Sequence, residues 1–288
     1  METKIFITGA TGAVGSQLVK KLAALHIPFK ALVRTNDKAD LIRQLPNAEV
    51  LVGSLADEAF LANALRGTEK AFLLTNSSAE AAQLQLSFVN AAGRAGVPHL
   101  VKLSQYAASK NSPVRFLRYH AQVEDRIKEL GLTYTFLRPN LFMQGLLAFA
   151  SSVKTEGRFY AAIGHAAVSI VDTRDIAAVA AAALTKTGHE NKTYTITGPE
   201  ALTHYQLADI LSGVLEKPVS FIDVAPEHMQ EALKAAGLPE WQLAGILEDY
   251  AHYARGEAAA VDDTVSRVTS APATRFEQFV RDHKFLFI

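Results

Sequence analysis

Ile5-Phe6-Ile7-Thr8-Gly9-Ala10-Thr11-Gly12-Ala13-Val14-Gly15 is the stretch on which the reading of this chain turns. An apolar run of strand character enters a turn with glycine at positions 9, 12 and 15, and an amphipathic stretch over 16–25 follows. That spacing has a physical use. The first glycines permit a tight turn and a close backbone approach, and Gly15 lets the helix pack on the strand. The helix N-terminus then offers unpaired N–H groups and a positive dipole end to a pyrophosphate. Any tight strand–helix turn can use such glycines, so the surroundings have to support the reading.

They do. Apolar runs of strand length recur at 4–8, 29–33, 49–52, 71–74, 100–103 and 134–137, separated by amphipathic stretches at 16–25, 56–65, 79–95 and 114–130. Strand–helix alternation of this kind predicts an α/β fold, a Rossmann-type doubly wound parallel sheet with helices on both faces. The strands are continuously apolar rather than alternating, as burial on both sides requires. Gly67, Gly96 and Gly131 stand just before strands, where left-handed helix caps are expected. After Arg138-Pro139 the rhythm changes to a mostly helical region with isolated short strands at 193–197 and 219–222, read as a smaller α/β lobe. Residues 172–184 form an alanine-rich helix assigned to the large lobe, and 226–256 reads as two helices broken at Gly237-Leu238-Pro239. The expected division is 1–140 with 172–200 for the dinucleotide-binding lobe, and 141–171 with 201–288 for a substrate-binding lobe.

Composition narrows the function classes. The chain has 288 residues, 49% of them hydrophobic, enough to bury a sizeable core. Twenty-nine Lys plus Arg balance 29 Asp plus Glu, so the basic excess of a nucleic-acid binder is lacking. No cysteine is present, which removes disulfides, thiolate nucleophiles and Cys-based metal sites. No apolar stretch is long enough to span a bilayer, and Met1–Lys4 leave no room for a signal-peptide core before the glycine turn; a cytoplasmic protein with no membrane partner is expected. Self-association into a homodimer stays open.

The second strand ends Ala31-Leu32-Val33-Arg34, where a NAD-selective fold usually places an acid for the ribose hydroxyls. Arg34 offers a guanidinium to a 2′-phosphate instead, with Lys38 one turn later, and so favours NADP(H); the alternative is an arginine that caps the sheet edge in solvent. Loops at the carboxyl ends of strands line the ligand crevice of open α/β sheets, which brings in Thr75, Asn76, Ser104, Pro139 and Asn140 beside Gly9, Thr11, Gly12, Ala13, Val14 and Gly15. Phe142, Met143 and Phe149 follow as an apolar substrate wall or as core. Trp241 is read as packing helices together.

With Gly9 to Gly15 and Val33-Arg34 in place, the chain resembles the NmrA-like group of atypical short-chain dehydrogenases/reductases. The further matches are Val101-Lys102-Leu103-Ser104, Leu137-Arg138-Pro139-Asn140-Leu141-Phe142, Val171-Asp172-Thr173-Arg174-Asp175 and Leu238-Pro239-Glu240-Trp241. The resemblance implies NADPH-dependent reduction of a small-molecule acceptor, quinone-like or an azo or triphenylmethane dye. Its alternative is a redox-sensing regulator that binds NADP(H) without turnover. Relatives often carry an aspartate where Ser54 stands. The wider superfamily uses a Tyr-x-x-x-Lys pair as proton donor. A literal match begins at Tyr106, but in the loop after the fifth strand rather than on the next helix. The family register puts Phe116 at the tyrosine position and His120 at the lysine position, with Glu124 one turn on. His120 and Tyr106 are thus the candidate catalytic groups, Tyr106 also as a wall of the substrate pocket. His120 either reaches the nicotinamide ribose or forms a surface ion pair with Glu124; two ligands at one spacing make no metal site.

Overall fold

The computed structural model describes residues 4–288. Chain order runs β1 (Ile5–Ile7), α1 (Ala13–Ala24), β2 (Phe29–Val33), α2 (Asn36–Arg43), β3 (Ala48–Val52), α3 (Glu58–Ala64), β4 (Lys70–Leu73), α4 (Ala81–Arg94), β5 (His99–Leu103), α5 (Arg115–Glu129) and β6 (Thr133–Pro139). After a 3-10 helix at Met143–Phe149 come α6 (Ala150–Glu156), β7 (Arg158–Ala161), β8 (Ala167–Val168), α7 (Thr173–Thr185), β9 (Lys192–Ile196), β10 (Leu202–Thr203), α8 (His204–Leu215), β11 (Ser220–Asp223), α9 (Pro226–Ala235) and α10 (Glu240–Ala254), then short helices to the C-terminus. Among the described residues no helix is long and apolar enough to cross a membrane.

The doubly wound sheet is present as expected, with strand order β3-β2-β1-β4-β5-β6-β9. Pairings from β3 through β6 are all parallel. The chain winds outward from β1 to β3 and then restarts at β4 on the other side of β1. The order therefore reverses at β1 and β4, and in such sheets the ligand crevice opens beyond the carboxyl ends of the strands there. Burial on both faces explains the continuous apolar strands: Phe6, Ile7, Phe72, Leu73 and Val101 are fully buried. Phe6 meets Phe88 of α4 at 5.9 Å between ring centroids, within a core that also takes in Phe136. Gly67, Gly96 and Gly131 adopt left-handed φ at the helix ends, as expected.

Two compact units are formed. Among the described residues the first takes in 4–111, Leu117–Arg138 and Ile176–Tyr194; the second takes in Ser112–Phe116, Pro139–Asp175 and Thr195–Ile288. Three features depart from the sequence reading. The strand expected at 193–197 is not isolated: β9 is the seventh strand of the main sheet, and the Asn191 N–H donates to the Tyr134 carbonyl at 2.6 Å. The strand expected at 219–222 is not isolated either, because β11 pairs in parallel with β7. Helix α2 carried too little apolar pattern to be singled out, since only Ala39 and Ile42 are buried on it.

Candidate active site

The glycine turn is built by the backbone of the first unit. Thr8 closes β1 by donating its hydroxyl to the Leu74 carbonyl (2.9 Å) and accepting from the Leu74 N–H (2.8 Å), which ties the turn to the end of β4. Gly9 has φ +66°, and a Cβ there would lie 2.8 Å from the Leu74 carbonyl oxygen. A Cβ on Gly15 would fall 2.0 Å from the Gly9 oxygen, so only glycine lets α1 pack this closely on the turn. Gly12 differs. Its φ is −82°, and an added Cβ would meet the Gly9 oxygen at 3.4 Å, an ordinary contact. Neither the fold nor its backbone angle demands glycine at position 12.

Gly12 is also the N-cap of α1, with no side-chain hydrogen bond to the first turn and no acid in that turn. The first N–H groups of a helix have no intrahelical acceptor, so those of Ala13, Val14 and Gly15 sit at a positive helix end without a side-chain cap. Thr11, Gly12 and Ala13 are exposed. This donor set fits the pyrophosphate of a dinucleotide. Arg34, exposed just beyond β2, forms no ion pair among the described residues. An arginine held in solvent by no acid is available to a phosphate monoester. Ser54 is exposed after β3, where its hydroxyl accepts from the Ala56 N–H.

Beyond β4, Thr75 is half-buried and Asn76 exposed. The sequence reading gave no role to Gln85. It is buried on α4 and its amide donates to the Thr75 hydroxyl at 2.8 Å, which leaves the hydroxyl hydrogen of Thr75 for another acceptor.

At the ends of β5 and β6 lies a buried polar cluster that the sequence showed only in part. Ser104 donates its hydroxyl to Glu124 Oε1 at 2.5 Å, and Arg138 donates to the same carboxylate through Nε (3.0 Å) and Nη2 (2.5 Å). Lys102, fully buried, places its Nζ 2.7 Å from His120 Nδ1 and 3.1 Å from the Leu103 carbonyl. Burial pushes the lysine down to about 7, with Glu124 opposing the shift and Arg138 adding to it. Burial, then the charges of Lys102 and Arg138, hold the His120 imidazole well below its ordinary pKa and therefore neutral. The surface ion pair of His120 with Glu124 is thus corrected. Both are buried, and each turns to a different partner on the sheet. The clue in the sequence was a lysine inside the apolar strand His99-Leu100-Val101-Lys102-Leu103.

Tyr106 is half-buried in the turn after β5, followed by Ala107 at φ +57°, and Lys110 is exposed. The literal Tyr-x-x-x-Lys match therefore lies in a loop, as the register argument expected. In the second unit, Phe116 packs on Trp241 at 5.2 Å and fills the space over Gly245, so Trp241 joins helices as expected. Pro139 is buried at the end of β6. The Asn140 amide is committed within its own unit: it donates to the Ser169 hydroxyl and the Ala258 carbonyl, each at 2.8 Å, and accepts from the Leu141 N–H. Its side chain braces the loop after β6. Phe142 is half-buried and bridges to Val171, while Met143 is 1% exposed and belongs to the core rather than to a wall. Among the described residues no group of His, Asp and Glu is arranged to hold a metal ion.

The NmrA-like family model matches residues 1–280. The NAD(P)H azoreductase of Xenophilus azovorans is 37% identical over 283 residues, covering 98% of this chain and 99% of that protein. Among solved structures, the NADPH-dependent quinone oxidoreductase QOR2 of Escherichia coli in complex with NADPH superposes with a TM-score of 0.88 at 29% identity, over 98% of this chain and 99% of that one. The Citrobacter sp. triphenylmethane reductase complexed with NADP(H) gives a TM-score of 0.85 at 29% identity, over 96% and 99%. These likenesses bear out the family resemblance read from the motifs.

Proposed function

The chain belongs to the NmrA-like family, and on that premise we propose that it is an NADP(H)-dependent oxidoreductase that reduces a conjugated small-molecule acceptor of the quinone or aromatic-dye class. The observation that carries the reading is the uncapped start of α1 at Gly12, a glycine that the fold itself does not need. The names of similar proteins, an azoreductase, a quinone oxidoreductase and a triphenylmethane reductase, support the acceptor class.

When bound, the nicotinamide nucleotide supplies a hydride. The chain's part is to hold and orient. The N–H groups of Ala13, Val14 and Gly15 meet the pyrophosphate, Arg34 meets the 2′-phosphate, and the Thr75 hydroxyl, aimed by Gln85, donates to the nucleotide beyond β4. His120 serves as a neutral hydrogen-bond donor toward the nicotinamide nucleotide, and Tyr106 meets the acceptor. An isolated ketone needs a proton in its transition state and hence a positioned strong acid, which a phenylalanine at position 116 does not provide. A quinone or cationic dye spreads the incoming charge over a conjugated system and takes its proton from water, so that orientation suffices.

The test is NADPH consumption by purified protein with a panel of quinones and of azo and triarylmethane dyes, beside direct titration with NADPH and NADH. Turnover that needs both protein and acceptor, with NADPH preferred, is expected. Tight NADPH binding with no turnover on any acceptor assigns the protein as a sensor instead, and absence of binding refutes the dinucleotide reading.

A further inference from the structure

We propose that Lys102 is a positioning residue that, by donating to His120 Nδ1, keeps the ring proton on Nε2 and so makes His120 a neutral single-donor imidazole at the carboxyl end of the sheet. An ammonium group has hydrogens and no lone pair, so at 2.7 Å from Nδ1 it can only donate, and Nδ1 must be the accepting nitrogen. A second lysine hydrogen goes to the Leu103 carbonyl at 3.1 Å, which fixes the amine against its own strand. Nε2 remains as the ring's other polar atom, and the residue keeps 8% exposure. The Tyr119 ring lies 4.1 Å from the imidazole, centroid to centroid, and limits its rotation.

The position follows from the topology of the first unit. Lys102 is the penultimate residue of β5, and Ser104, just past the strand end, is bonded to Glu124. In a parallel sheet the crossover helix runs back against the strands, so α5 enters from the carboxyl end. His120, one turn or about 5 Å before Glu124, meets Lys102 Nζ beside the Leu103 carbonyl, at the carboxyl end of β5. Neutral imidazole with a fixed tautomer is a donor that neither carries charge nor releases a proton easily. Such a donor suits a site that must orient a nucleotide without protonating an acceptor.

The charged and titratable groups that face Lys102 are His120 and Glu124 from α5 and Arg138 from β6. Glu124 favours the ammonium and Arg138 opposes it. Above the lysine's pKa, about 7, the neutral amine can accept as well as donate, and the tautomer is no longer dictated.

The inference rests on the cofactor reading above, and ring-nitrogen NMR of the full-length, nitrogen-15-labelled protein tests it separately. The His120 signals are assigned by their loss in His120→Gln. Below the lysine's pKa of about 7, the wild type is expected to show a proton on His120 Nε2 and a hydrogen-bonded, unprotonated Nδ1. In Lys102→Met the Nδ1 signal moves to that of an unbonded nitrogen, and kcat with NADPH and a quinone falls by up to about tenfold, the worth of one misplaced neutral hydrogen bond. Lys102→Met is nearly isosteric and leaves Glu124 bonded to Arg138 and Ser104, so Tm holds or rises, which separates this outcome from unfolding. A wild-type proton on Nδ1, or His120 signals unmoved in Lys102→Met, overturns the inference, as does an unchanged kcat. Expected NMR signatures in a protein that binds no NADPH refute the cofactor reading alone and uphold the Lys102–His120 assignment.

Discussion

Replacing Gly12 and Gly15 separately by alanine distinguishes a glycine kept for the fold from one kept for a ligand. In Gly15→Ala the new methyl would sit 2.0 Å from the Gly9 oxygen and 2.7 Å from the Gly9 carbon, both backbone atoms in a turn tied to β4. A contact more than an ångström too short must be relieved by moving the turn or the helix. Overpacking of this severity costs at least about 3 kcal/mol. For a chain of this size each kcal/mol lowers Tm by about 2–4 °C, so Gly15→Ala is expected to melt about 6–12 °C early and to bind NADPH poorly. In Gly12→Ala the methyl meets the Gly9 oxygen at 3.4 Å, and φ is already −82°, so folding is undisturbed. Alanine at a helix N-cap differs from glycine by about 1 kcal/mol at most, which limits the fall in Tm to a few degrees. The same methyl stands where a pyrophosphate has to approach the N–H groups of α1. NADPH affinity is therefore expected to drop about tenfold or more, the worth of one charge-assisted hydrogen bond. Differential scanning fluorimetry and NADPH fluorescence titration on both variants decide the matter. Wild-type affinity in Gly12→Ala refutes the claim that room at position 12 serves a dinucleotide, and a wild-type Tm in Gly15→Ala refutes the steric argument.

Three other outcomes are expected. Arg34→Ala should lower affinity for NADPH by about 10- to 100-fold, as loss of hydrogen bonds to a charged group implies, and leave NADH affinity alone; parallel titrations that show unchanged discrimination sink the 2′-phosphate role. His204 sits 3% exposed against Phe159, Phe221 and Tyr250, its Nδ1 has no hydrogen-bond partner, and burial pushes its pKa down to about 4 from 6.5. Because the unfolded chain protonates this histidine first, its contribution to stability is intact above pH 6.5 and is lost as pH falls toward 4, so His204→Phe should flatten the acid side of the Tm profile; an unaltered profile contradicts this. Glu124→Gln leaves the half-buried Arg138 guanidinium without its counter-charge and should cost about 2–4 kcal/mol in denaturant unfolding, while a loss under about 0.5 kcal/mol shows the carboxylate to be dispensable.

Local pattern was enough for the sheet and for one end of the site. Continuous apolar runs announce strands covered on both faces, and the left-handed glycines at 67, 96 and 131 mark helix ends, because both signals depend on residues close together in the chain. The same holds for the turn from Gly9 to Gly15 and for Arg34 at the end of β2, whose meaning follows from the strand and helix beside them. Helix α2 escaped notice because two buried residues carry too little periodicity. The pairing of β7 with β11 and the place of β9 beside β6 could not be read, since a strand's neighbour is set by distant segments.

The cluster at β5 and β6 shows the same division. From the sequence, His120 and Glu124 are two residues four apart on one helix, and their nearest available account was each other. Folding brings Lys102 to His120 across 18 positions and Arg138 to Glu124 across 14. Once the helix lies on the sheet, each polar group has to find a partner within the low-dielectric interior, and it takes whichever one the packing places within reach. The sequence by itself determined the strands from β1 to β6, the glycine turn and the exposed arginine at the end of β2, because those rest on local backbone geometry. Only the tertiary structure decided that Asn140 is a brace, that Gln85 aims Thr75 and that a buried lysine sets the state of His120, because the charge state and tautomer of a group depend on what surrounds it in space.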